Sequence, residues 1–100
     1  DVNLKENIVA VEGASLLAKV LSLPISQWNY KREGAGVKHI GPMAQDFYNL
    51  FSLGDNDKSI STIDPAGIAL AAIKEQQKLI NELRQQNTDL KKRIDALEKK

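Results

Sequence analysis

The apolar positions in the last third of the chain repeat every seven residues. Ile73, Ile80, Asn87 and Ile94 form one series, and Gln76, Leu83, Leu90 and Leu97 a second, offset by three. Together they make the a and d seam of a coiled coil. After Asp64-Pro65 the chain runs to Lys100 with no further proline, and its only glycine is Gly67 in the first turn, so nothing there stops a helix. At ~1.5 Å per residue that helix is roughly 55 Å long, far more than the preceding segment can cover. The seam therefore predicts association with other copies of itself. Burying its six Leu and Ile side chains is worth on the order of 10 kcal/mol per chain, less the entropy of ordering them.

The rest of the pattern predicts a small head. Asp1 to Val11 ends in a loosely alternating run, Ile8-Val9-Ala10-Val11, which predicts passage into a strand. Gly13 to Leu21 sets Leu16, Leu17, Val20 and Leu21 on one face of a short helix, stopped by Leu23-Pro24. Ile25 to Lys31 places Trp28 and Tyr30 on one side of a strand, Gly34-Ala35-Gly36 makes a turn, and Val37 to Gly41 is the expected hairpin partner. Pro42 stands where a helix can begin, with Met43, Phe47, Leu50 and Phe51 on its apolar face. Gly54-Asp55-Asn56-Asp57 reads as a plain turn, since the spaced ligand series and distant Glu of a calcium loop are missing. Ser59 to Ile63 is a short strand candidate, Asp64 a good N-cap and Pro65 a fit for the first helical position. The expected fold is α+β: a head of short strands, a hairpin and two short helices over residues 1–63, then one long helix over 64–100 forming a parallel coiled coil.

Two signals bear on the number of copies. Ile at a, Leu at d and Asn87 at an a position favour two strands. Arg93 at g and Glu98 at e flank the apolar pair Ile94 and Leu97, which resembles short three-stranded coils where the Arg stem covers the core and its head pairs with a neighbouring Glu. The seam leaves both numbers open, with the trimer slightly favoured. Lys78 with Glu82, Asp89 with Arg93 and Asp95 with Lys99 lie one turn apart on the outer face and read as solvated helix support.

Composition narrows the partners. Fourteen basic against thirteen acidic residues give a net charge of +1, with no unbroken basic run to neutralise phosphates, so nucleic acid is not an expected partner. A basic zipper would need Lys and Arg before the heptads, where Ile68-Ala69-Leu70-Ala71-Ala72 stands instead. There is no cysteine, hence no disulfide framework or thiolate metal site. No apolar run is long enough to span a membrane, and the N-terminus has no signal-peptide pattern. His39 is the only histidine, so neither a metal cluster nor a Ser-His-Asp triad can be built within one chain; it is expected to be a hydrogen-bonded structural residue. Trp28, Tyr30, Phe47, Tyr48 and Phe51 are expected in the core rather than around a pocket. No cofactor is implied. From these residues alone the chain is a dimeric or trimeric interaction module.

Three stretches carry a family resemblance. Asp1-Val2-Asn3-Leu4-Lys5-Glu6-Asn7-Ile8 resembles the opening of the peptidase S74 domain, the C-terminal intramolecular chaperone of phage endosialidases, tailspikes and tail fibres. Gly41-Pro42-Met43-Ala44-Gln45-Asp46-Phe47 resembles that family's Gly-x-x-Ala-Gln-Glu/Asp segment, and Asp64 to Gln77 its passage into the terminal helix. The resemblance implies a domain that trimerises, helps an upstream β-rich fibre or surface protein to fold, and is released by self-cleavage through a Ser-Lys dyad. The dyad lysine falls on Lys5. The serine would directly precede Asp1, so the chain is expected to be the released, inactive product; a cloning boundary, or a serine lost to disorder or kept on this fragment in some members, is the competing explanation. The family occurs in phages, bacterial surface proteins and a membrane-bound eukaryotic transcription factor, which leaves the site of action open between host cytoplasm and a virion or cell surface.

A lysine of ordinary pKa ~10.4 is an ammonium at neutral pH and accepts no proton from serine; bringing one down by ~3 units costs about 4 kcal/mol, through desolvation or a nearby positive charge. Such surroundings are expected only where neighbouring heads pack. The alternative reading, from a different class, is a permanent oligomerisation domain that is never cut.

Overall fold

The structure is a computed structural model and describes residues 1–100. A 3-10 turn at Val2–Leu4 is followed by α1 (Gly13–Ser22), β1 (Ser26–Trp28), β2 (His39–Gly41), α2 (Ala44–Phe51) and α3 (Ile63–Glu98). The strands form a two-stranded antiparallel sheet with Ser26 opposite Gly41, Gln27 opposite Ile40 and Trp28 opposite His39. The hairpin, the two short helices and the long helix thus stand where hydrophobic spacing places them.

The two lone strands do not form. Residues 8–11 are exposed and outside any element, and Ser59 and Ile60 are likewise irregular. A strand needs a partner for its backbone N–H and C=O groups, and the chain offers these segments none. The start of α3 also shifts. Thr62 is the N-cap residue, without a side-chain cap, and Asp64 lies in the first turn. Ser61 sets this boundary: its carbonyl accepts from Asp64 N–H at 3.2 Å and its Oγ from Ile63 N–H at 3.4 Å. A carboxylate in the first turn still complements the helix dipole. Met43 rather than Pro42 caps α2. The Asp55 to Asp57 turn is closed by Asn56 Oδ1, which accepts from the backbone of Lys58 and Ser59 at 2.9 and 3.0 Å.

Four residues are buried: Leu17 of α1, Phe47 of α2, and Ile68 and Ala72 of α3. Of the expected aromatic core only Phe47 is enclosed, with Phe51 against it at a ring separation of 5.0 Å. α1 packs along α3. Its first residue, Gly13, sits so close to Glu75 that an added Cβ would come within 2.6 Å of the carboxylate. Since every residue from Gln76 onward is exposed, α1 runs back from Glu75 toward the start of α3.

Head and helix together are far from compact. A folded monomer of 11.1 kDa exposes about 5,700 Å²; this chain exposes 8563 Å². Its radius of gyration is 20.4 Å, against about 13 Å for a compact domain of this length. None of the ion pairs expected along the outer face of α3 closes, the one short acid–base contact being His39 with Glu33. Long exposed side chains lose more entropy than such pairs gain. With so small a core, Phe47→Ala is expected to cost about 3 kcal/mol in chemical denaturation. A loss under about 1 kcal/mol would mean that these four residues are not what holds the head.

Candidate functional site

Three features face solvent: an N-terminal arm, a groove beside the hairpin, and one side of α3. The arm is residues 1–12, all exposed. Asp1 caps its 3-10 turn, the carboxylate accepting from Asn3 N–H at 2.9 Å. Lys5 closes that turn through its N–H to the Val2 carbonyl at 3.3 Å, and its own backbone is extended at φ −117°, ψ 152°. Asn7 is left-handed at φ 53°. Asparagine is among the few residues other than glycine that adopt this conformation readily, which gives Asn7 a backbone role in the Leu4-Lys5-Glu6-Asn7-Ile8 stretch.

Glu12 fastens the arm to α1. Its carboxylate accepts from Ser15 N–H at 2.7 Å and from Ala14 N–H at 3.2 Å. These bonds, the one from the Ser15 backbone first, hold its carboxyl below the ordinary 4.5, with the Lys78 charge adding a little.

The groove encloses about 610 Å³ between the hairpin, the start of α2 and the start of α3. Trp28 forms one wall, its indole N–H donating to the Gly41 carbonyl at 3.2 Å. His39 stacks on Trp28 at 5.0 Å, and Tyr30 meets Trp28 edge-on at 4.9 Å. Glu33 Oε1 lies 2.8 Å from His39 Nε2, so the histidine is hydrogen-bonded as expected. Trp28 and Tyr30, expected in the core, instead border this opening, because three-residue strands in a two-stranded sheet have nothing behind them to pack against. Gly41 through Gln45 also line it.

On α3 the head takes one stripe: Ile68 and Ala72 are buried, and Asp64, Ala71 and Glu75 are half-buried. At 3.6 residues per turn this stripe is centred roughly half a turn from Ile73. The seam residues Ile73, Gln76, Ile80, Leu83, Asn87, Leu90, Ile94 and Leu97 are all exposed, as are the flanking Arg93 and Glu98. Lys5, on the arm, is exposed as well. The model of the peptidase S74 family, described as chaperone of endosialidase, matches residues 1–52, from the arm through the hairpin and α2.

The chain belongs to the peptidase S74 family. No curated protein matches it. The S74 match includes the first two resembling stretches, one being the arm and the other the groove wall from Gly41 onward; the third, from Asp64, lies beyond it. Membership implies a chaperone role and a precursor related to autoproteases. The groove went unnoticed in the sequence, where the only signal was the two-residue spacing of Trp28 and Tyr30.

A carboxylate whose pKa is lower in the fold than in the unfolded chain stabilises the fold fully above pH 4.5 and less as the pH drops through the lowered value. Glu12→Ala should therefore melt below the wild type at pH 7, and the difference should narrow on acidification below 4.5, followed by circular dichroism. A gap constant down to pH 2 would mean that the cap does not act through its charge.

Proposed function

We propose that this chain is an intramolecular chaperone that trimerises through α3, assists an upstream β-rich fibre or surface protein of its own precursor, and is released by self-cleavage. The division is a head over residues 1–63 and a coil over 64–100, with the first turns of the helix completing the core of the head. The observation that carries the reading is the free seam. The head covers only the first turns of α3, so Ile73, Ile80, Leu83, Leu90, Ile94 and Leu97 stay between 41% and 66% exposed. The surplus surface, about 2,900 Å² per chain over a compact monomer, is more than each partner contributes to a standard interface, about 800 Å². In a parallel trimer Gln76 and Asn87 form polar layers, and Arg93 and Glu98 pair across the rim of the last apolar layer.

The serine of the dyad directly precedes Asp1 in the precursor, and Lys5 is its base. The neutral amine of Lys5 takes the hydroxyl proton, the serine oxygen adds to the scissile carbonyl carbon, and the amine of the downstream residue leaves with a proton. Water then resolves the ester. A serine oxygen attacking its own carbonyl would close a four-membered ring, so a cut on its carboxyl side draws the hydroxyl from a neighbouring copy. A cut on its amino side passes through a five-membered ring within one chain. After a cut on the carboxyl side the serine stays upstream, and the released piece is inactive.

Native mass spectrometry of the precursor with its upstream domain should show three copies and a new terminus at or beside Asp1. Lys5→Ala should still trimerise but remain uncut; efficient release by this variant would remove Lys5 from the mechanism. Ile80→Asp with Leu90→Asp, which put charges into the seam, should convert the trimer to monomer at micromolar concentration. A trimer that survives both substitutions is not held by α3. A wild-type precursor that trimerises but is never cut would favour the permanent oligomerisation domain.

A further inference from the structure

The arm and the groove are each left unfinished in the single chain. We propose that they complete one another between copies, the Val2–Leu4 turn of one copy seating in the groove bordered by Trp28, Tyr30, Ile40, Met43, Ile60 and Pro65 of its neighbour. This rests on the trimeric reading above only in needing two copies side by side.

The chemistry of the two surfaces agrees. Val2 and Leu4 are 68% and 85% exposed, on a turn already ordered by the Asp1 cap, so little further entropy is lost when it docks. The groove combines apolar and aromatic side chains with the polar Asn29, Gln45, Ser59 and Thr62, and Lys58 is its one charged residue. Around the turn Asp1 and Glu6 outweigh Lys5, which leaves a net negative side-chain charge opposite in sign to Lys58.

The reach agrees as well. The arm leaves α1 at Gly13 beside Glu75, whereas the groove is bordered by Pro65, ten residues earlier on α3, a rise of about 15 Å. Residues 8–12 can span up to roughly 17 Å when extended. Extended along the helix, these residues would carry Asn7, whose backbone is left-handed at φ 53°, to the height of the groove. In a parallel assembly the neighbouring groove stands at that same height. No arm residue borders the groove of its own chain.

Docking has a consequence for Lys5, which follows the turn directly. Seating Val2 and Leu4 takes Lys5 out of open water and brings it to the aromatic rim of another copy. The base is then assembled only where a neighbour is present, so release follows association.

The chain has no cysteine, which makes a cross-link clean to read. Differently tagged chains carrying Leu4→Cys and Ile60→Cys are mixed, refolded together and mildly oxidised. The expected product is a disulfide between the two tags, since such a bond requires Cα atoms within about 7 Å. An oligomer intact by light scattering but lacking that bond would overturn the docking and leave the trimeric reading standing. A monomer would overturn both. A Leu4→Cys/Ile60→Cys double variant bonded within one chain would place the arm in its own groove and also overturn the proposal. Trp28, the only tryptophan, supplies a second readout. Leu4→Asp should red-shift its emission by several nanometres without changing the oligomer mass, and an unshifted spectrum counts against docking.

Discussion

Apolar surface that a single chain cannot cover governs this molecule. α3 is 36 residues long, and the head encloses only its first three turns, through Ile68 and Ala72. The remainder is a helix exposed on every side, and a helix in that state draws little stability from its own hydrogen bonds alone. Four buried residues give the head a correspondingly thin core. On the proposed function, association and folding of such a chain are one equilibrium rather than successive ones.

The placement of the head on α3 leaves the seam exposed. Had α1 packed over Ile73 and Ile80, the chain would have hidden part of its own seam. Instead Leu17, Ile68 and Ala72 close a different stripe of the first turns of α3, and Gly13 lets the start of α1 come tight against Glu75. The arm is anchored at that same level through Glu12 and is otherwise free, carrying Lys5 on a segment whose path is set by the Asp1 cap and the turn at Asn7.

On the proposed function, this arrangement answers a kinetic difficulty. Pairing strands between chains is slow, because the chains must be brought into register before any contact offsets the loss of entropy. A stalk that gathers three copies early raises the effective concentration of whatever lies upstream. Removing the stalk after the fibre has closed takes away the route back, which turns an equilibrium structure into a kinetically persistent one.

Much of the architecture was legible from periodicity. The proline-free run through Leu97, the amphipathic spacing of Leu16, Leu17 and Val20, and the hairpin around Gly34-Ala35-Gly36 are local signals, and they appear as a long helix, a short helix and a hairpin with shorter strands than expected. The Asp1 to Ile8 stretch likewise pointed to the S74 family that matches residues 1–52. Periodicity misled where a segment needed a distant partner, as with the strand-like Ile8 to Val11 and Ser59 to Ile63, which find nothing to pair with. Which side of α3 the head takes, that Trp28 and Tyr30 line a groove rather than fill a core, and that the arm stands clear of both were decided only in three dimensions. A residue's local propensity depends on its neighbours in sequence, whereas its burial depends on chain segments far away along it, and here on too few of them to cover what the chain exposes.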